Sequence, residues 1–214
     1  MKSVKVWDIF VRIFHWALVG SLVGQYISGE EFKGVHIRLG YGVIMLVLAR
    51  IVWGFMGTKH ARFADFLYRP TEILNYLKSF FVGRPIHYIG HNPAGGLMIF
   101  VMLIALTATT FTGLKTLGAH GKGPLANSKT SISRLAYADD EHEGHEGKKD
   151  HSNALGNQQK EKFWKQTHEF MTGFMLFLII VHIGGVLASS WLHKENLILS
   201  MITGKKKSIN HPTS

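Results

Sequence analysis

The sequence predicts an all-α protein: an integral membrane four-helix bundle. Residues 13–29, 93–114 and 170–192 contain no Asp, Glu, Lys or Arg, and residues 39–57 contain only Arg50. Apolar stretches of about twenty residues are what a hydrocarbon layer of about 30 Å requires of a helix. The chain of 214 residues is 46% hydrophobic yet carries a formal net charge of +10, so its charges are gathered in the ends and connections.

The first helix is expected over about 9–29, behind Lys2, Lys5 and Arg12. A cleaved leader would also start this way, but no small-x-small site follows the run, so it is read as a retained helix. A short turn leads into the second helix, about 36–57, which makes the two antiparallel neighbours. Between the second and third helices, Pro70 and Thr71 carry a helix-start signal. Residues 71–81 then form either a helix lying in the headgroup layer or an ordinary surface helix.

The third and fourth helices are expected over about 92–114 and 166–192. Residues 115–165 between them are long and polar, with the run A-D-D-E-H-E-G-H-E-G-K-K-D-H, and are read as a flexible, solvated outer loop. His142, His145 and His151 alternate with carboxylates there and are read as part of that acidic run rather than as a metal site.

Orientation follows lysine and arginine near the helix ends. The N-terminus, the second connection and the C-terminal tail carry three, five and four of them. Both termini are therefore expected in the cytoplasm. Nucleic acid is not an expected partner.

Of thirteen histidines, four lie in or at the edge of a span with a companion at the same depth. His15 sits near the cytoplasmic end of the first helix and His36 opens the second from the other side. His168 opens the fourth helix on that outer side, and His182 lies about 21 Å further along it and about 40° round it. The depths match as His15 with His182 and His36 with His168. Ionisable residues inside a bilayer are costly and mark functional sites.

With no cysteine, iron–sulfur clusters, thiolate-ligated haem and covalently attached haem are excluded. A proton relay normally uses carboxylates within the spans, and these spans have none. A zinc site needs ligands converging at one depth, which a two-level arrangement does not provide. Two haems b, each gripped by one imidazole on either face, need four histidines on facing helices. Glycines at 20, 24, 40, 42, 173, 184 and 185 would let a flat macrocycle approach the backbone, although glycine is common in membrane helices anyway.

Arginines suit haem propionates, which are anions in a low-dielectric place. Arg38 lies near the outer pair, and Arg12 and Arg50 near the inner one. For Arg12 and Arg38, snorkelling to the headgroups explains the position equally well. Arg50 lies too far inside its helix for that.

The sequence also resembles a known family. F-H-W at 14–16, H-x-x-x-G from His36 to Gly40, T-H-E at 167–169, V-H at 181–182 and W-L-H-K-E-N-L-I-L-S-M-I at 191–202 are similar, in that order, to the bacterial cytochrome b561 group. That group includes the b-type cytochrome subunits of nickel–iron hydrogenases and formate dehydrogenases. The likeness covers nearly the whole chain apart from residues 115–166.

The resemblance implies one domain, 1–214, in the bacterial inner membrane: a di-haem electron carrier of the respiratory chain that exchanges electrons with quinone. It implies that His15 and His182 ligate the cytoplasmic-side haem, and His36 and His168 the outer one. G-H-N-P-A-G-G at 90–96 is similar to a segment of this group. His91 and Asn92 there either donate hydrogen bonds to a quinone carbonyl or, with Pro93, only cap and start the third helix.

The implied partners are membrane lipid, quinone, and a periplasmic c-type cytochrome or a hydrogenase- or dehydrogenase-like subunit. Three rivals stand beside this reading: a stand-alone superoxide:quinone oxidoreductase, a membrane anchor subunit of a hydrogenase-like complex, and a haem-free structural or assembly protein.

Overall fold

The computed structural model describes residues 3–29, 31–83, 86, 88, 90–126 and 147–207. The elements run in order β1 (Ser3–Lys5), α1 (Ile9–Ser28), α2 (Lys33–Met56), a 3₁₀ turn (Phe63–Asp65), α3 (Pro70–Phe81), α4 (Pro93–Ala119), α5 (Gly147–Leu192), α6 (Leu197–Thr203) and β2 (Lys205–Lys207). Four of these contain segments long and apolar enough to cross a membrane: Ile9–Ser28, Lys33–Met56, Pro93–Ala119 and Gly156–Leu192. The mostly helical fold expected from the sequence is therefore present.

The long polar connection is shorter than expected on both sides. α4 continues to Ala119, and α5 begins at Gly147. Gln158, Gln159, Lys160, Glu161 and Lys162 are good helix formers, so an existing helix propagates through them at little cost. At 46 residues α5 is about 69 Å long, more than twice the hydrocarbon thickness. His142 and His145 lie outside the described residues, as does the side chain of His151.

The chain divides into two compact units, Met1–Ile104 with Phe177–Ser214, and Ala105–Leu176. In the first unit, α1 and α2 form an antiparallel hairpin. A Cβ at Gly24 would lie 2.9 Å from Leu39 Cδ1, so glycine permits the close approach of the two helices. Asp8 caps α1 by accepting from the Val11 amide at 2.8 Å. The same carboxylate accepts from Trp53 Nε1 at 3.0 Å and Thr58 Oγ1 at 2.7 Å, tying the start of α1 to the end of α2. Phe10 stacks on Trp53 at 4.6 Å beside it.

α3 starts with Pro70 at its first turn, and Glu72 reaches back to the Arg69 amide at 2.8 Å. Its Tyr76 is buried, whereas Leu74 and Phe81 are exposed, with Arg69 and Lys78 close by in sequence. This amphipathic pattern suits either surface-helix reading.

Aromatic packing seats α4. Phe66 is fully buried, and its carbonyl would stand 2.5 Å from a Cβ at Gly96. Gly96→Ala is therefore expected to destabilise the protein by about 2 kcal/mol, because backbone rather than a movable side chain must yield. A thermal melt in detergent checks it; an unchanged or raised midpoint refutes the contact.

The two ends of the chain pair. β1 and β2 are antiparallel, with Val4 opposite Lys206. Gly204, at φ 79°, closes α6 in the left-handed region that glycine adopts freely, and its carbonyl accepts from Val6 and Trp7. Lys206 is half-buried, 3.6 Å from the Glu195 carboxylate and donating to the Tyr88 carbonyl at 3.3 Å. Burial pulls its pKa below the ordinary lysine value, and Glu195 opposes that.

In the second unit, the end of α4 runs along α5. Lys115 lies over the rings of Phe111 and Trp164, at 5.5 and 5.7 Å. His120 Nε2 meets Glu161 at 2.9 Å. Thr109 and Met171 meet through a 3.4 Å hydroxyl-to-carbonyl bond, and Ala105, Leu106 and Met175 are buried.

Candidate functional site

In the first unit, His15 on α1 and His182 on α5 are brought together. Their ring centroids stand 6.5 Å apart, with planes 53° to one another. Both rings are half-buried within apolar spans, and Trp16 meets the His15 ring edge-on at 5.2 Å. Two imidazoles gripping one metal ion from opposite sides have centroids about 6 Å apart, given metal–nitrogen bonds of about 2 Å. The observed spacing matches that.

His15 Nδ1 is buried and has no hydrogen-bond partner among the described residues. A Cβ at Gly20, Gly184 or Gly185 would meet nothing within 4 Å, so no protein neighbour explains their lack of a side chain. A facing imidazole pair and bare backbone nearby fit a flat macrocycle with two axial positions. Among the described residues no group of three or more His, Asp or Glu side chains is assembled as a metal cluster.

Arg50, on α2, is buried at 4% exposure. One of its terminal nitrogens donates to the Ala61 carbonyl at 3.2 Å, and its guanidinium lies over the Phe63 ring at 5.0 Å. Nη1 is buried with no partner among the described residues, as is Nε of Arg12. Arg12 spends another of its donors on the Ile202 carbonyl, so part of its role is to hold α6. Both arginines keep cationic capacity for an anion. Arg38 is exposed on α2.

Asp8 lies near Arg50. Burial raises the Asp8 pKa, but the Val11 amide, Thr58, Trp53 and the Arg50 charge together bring it below the ordinary carboxylate value.

His91 lies between two aromatic faces, 4.5 Å from Trp7 and 4.7 Å from Phe66. Burial, then the charges of Arg50, Lys206 and His60, lower its pKa to about 3. It is therefore neutral at any physiological pH, able to donate one ring hydrogen bond without carrying charge. Its own carbonyl accepts from Tyr68 at 2.9 Å. Asn92 accepts from the Gly95 amide at 2.7 Å, which is the helix-capping alternative for that residue.

The other two histidines fall in different units. In the first, His36 Nδ1 lies 3.1 Å from the Gln25 carbonyl. In the second, His168 Nδ1 lies 3.1 Å from the Thr109 carbonyl and 3.2 Å from Thr112 Oγ1. A carbonyl only accepts, so in each ring Nδ1 carries a proton, which in a neutral imidazole leaves the lone pair on Nε2. That tautomer is the one a metal-ligating histidine adopts when its second nitrogen is hydrogen-bonded.

Sequence reasoning missed Asp8, Trp53 and Thr58 around Arg50, and Thr109, Thr112 and Gly113 around His168. The first three are scattered and give no local signal. The run T-A-T-T-F-T-G at 107–113, polar within an apolar span, was a signal.

Comparison with known proteins follows the same direction. Residues 6–204 match the family described as prokaryotic cytochrome b561. The chain is 22% identical over 234 residues to a probable Ni/Fe-hydrogenase B-type cytochrome subunit of Bradyrhizobium diazoefficiens, covering 96% of this chain and 86% of that one. Proteins of the same description in Rhizobium leguminosarum and Rhodobacter capsulatus are 28% and 24% identical. The Rhizobium match covers 57% of this chain and 62% of the relative; the Rhodobacter match covers 95% and 81%. No solved structure matches. A match running from just before α1 to the end of α6 takes in all four candidate spans: the chain belongs to the prokaryotic cytochrome b561 family, and is a multi-pass, haem b membrane protein of electron transport.

Proposed function

We propose that the chain carries two haems b and passes electrons between a redox partner on the outer face and the quinone pool. The facing pair His15 and His182, 6.5 Å apart, is the observation that carries this reading. His15 and His182 hold the cytoplasmic-side haem, and His36 and His168 the outer one. When bound, each haem takes up and gives back one electron by cycling between ferric and ferrous iron.

The chain's own residues supply the rest. His15, His182, His36 and His168 would supply the iron's nitrogen ligands, in apolar spans that would keep water from the metal. Arg50, with Arg12, offers guanidinium donors to the propionates of the inner haem, and Arg38 does so at the outer one. His91, neutral and held between Trp7 and Phe66, donates to a quinone carbonyl. Asn92, engaged as a helix cap, contributes less to that site.

Both termini lie in the cytoplasm, consistent with the Lys and Arg distribution. The relatives named as hydrogenase B-type cytochrome subunits favour a hydrogenase-like subunit as the outer partner over a c-type cytochrome.

The test is haem content and spectrum of the purified full chain. About two haems b per chain, with a reduced α-band, are expected. One haem or none overturns the reading. Rapid quinone reduction by superoxide with the chain alone, needing no partner, would replace it by the stand-alone oxidoreductase.

A further inference from the structure

Within the second unit, the threonines near the end of α4 do two different things. Thr109, Thr110 and Thr116 return their hydroxyls to carbonyls four residues back, at 2.8, 3.0 and 2.9 Å, the ordinary use of threonine in an apolar helix. Thr112, at 6% exposure, is used otherwise. Its Oγ1 is 2.9 Å from the Thr109 carbonyl and 3.2 Å from His168 Nδ1, and that same nitrogen is 3.1 Å from the Thr109 carbonyl.

Only one proton arrangement satisfies all three atoms. The Thr109 carbonyl accepts only, so His168 Nδ1 is protonated. The Thr112 hydroxyl gives its own proton to that carbonyl and turns a lone pair to the ring N–H. The Nδ1 proton is thus shared by two acceptors, which in a neutral imidazole leaves the lone pair on Nε2. Gly113 completes the seat: a Cβ there would be 3.1 Å from His168 Cε1, so the ring rests against bare backbone.

We propose that Thr112 is a positioning residue for His168, fixing its tautomer and ring angle and making Nε2 a stronger electron donor. The inference rests on His168 being a haem ligand. Accepting the Nδ1 proton raises the basicity of the ligating nitrogen, and a more basic ligand favours ferric over ferrous iron. Thr112 therefore lowers the midpoint potential of the haem that His168 holds, and leaves the other alone.

The experiment is a potentiometric titration, with low-spin ferric EPR, of the haem-loaded full chain as wild type, His168→Ala, Thr112→Val and Thr112→Ser. His168→Ala identifies one of the two titrating components by its loss. Thr112→Val is expected to keep both haems, move that component's midpoint upward and shift its largest g value. Thr112→Ser restores both to wild-type values.

Gly113→Ala, although alanine is the better helix former, is expected to shift the g value of the same component by pushing on the ring. If Thr112→Val leaves midpoint and g values unmoved, or moves both haems alike, the positioning role is overturned while the haem assignment stands. If His168→Ala retains both components, the ligand assignment itself falls.

Discussion

Replacing His182 by alanine is expected to reduce haem content from about two to about one per chain, with the remaining haem spectrally normal. The ring of His182 faces His15 at 6.5 Å, and removing either should empty the same position, so His15→Ala and His15→Ala with His182→Ala lose the same haem and no more. His36→Ala, in contrast, should remove the other component. Reduced-minus-oxidised spectra of the purified variants, with haem counted per chain, decide it. Retention of both haems in His182→Ala, or loss of the one removed by His36→Ala, would break the pairing. The effect would be large because a haem that loses one of its two histidines would be held by a single remaining imidazole, its propionates and packing.

Asp8→Ala is expected to lower stability by about 2 kcal/mol, read as a fall in melting temperature in detergent. Asp8 caps α1 and also serves Trp53 and Thr58, so its loss removes a cap and strands two donors from α2 and the following turn. Asp8→Asn keeps the cap and should cost less.

The same residue sets a pH dependence. Its folded pKa lies below its unfolded value, so at pH between the two the unfolded chain binds more protons. The contribution is whole above the ordinary carboxylate value and is lost as pH falls through the folded one. Wild type should therefore lose stability on acidification below about pH 4, and Asp8→Asn should lose less over that interval. Parallel curves for the two proteins would refute the role.

The four apolar helices were legible because bilayer thickness imposes a one-dimensional rule on sequence: an uncharged stretch of fixed length. The approach of His15 to His182 was legible for a related reason, since depth along each span and rotation about it can both be counted from the sequence. His36 and His168 were singled out by the same counting, and the structure adds the carbonyls that orient them.

What stayed hidden depends on contacts distant in sequence. Asp8 reads as an ordinary helix start; only folding brings Trp53, 45 residues away, to its carboxylate. Lys205–Lys207 reads as cationic tail, and lysine is a poor strand former, yet pairing with Ser3–Lys5 makes it a strand. The helical onset at Gly147 was masked by a polarity that looks the same in a solvated loop and on a helix standing clear of the membrane.

That pairing of the chain's extremities has a consequence for biogenesis. A ribosome delivers Ser3–Lys5 before Lys205–Lys207, so the first strand of the pair waits for its partner while the spans between them are inserted. The join closes only if the number of crossings is even and both extremities remain in one compartment. The backbone ladder between Ser3–Lys5 and Lys205–Lys207 is thus tied to correct threading of the spans between them, and a misthreaded chain lacks it.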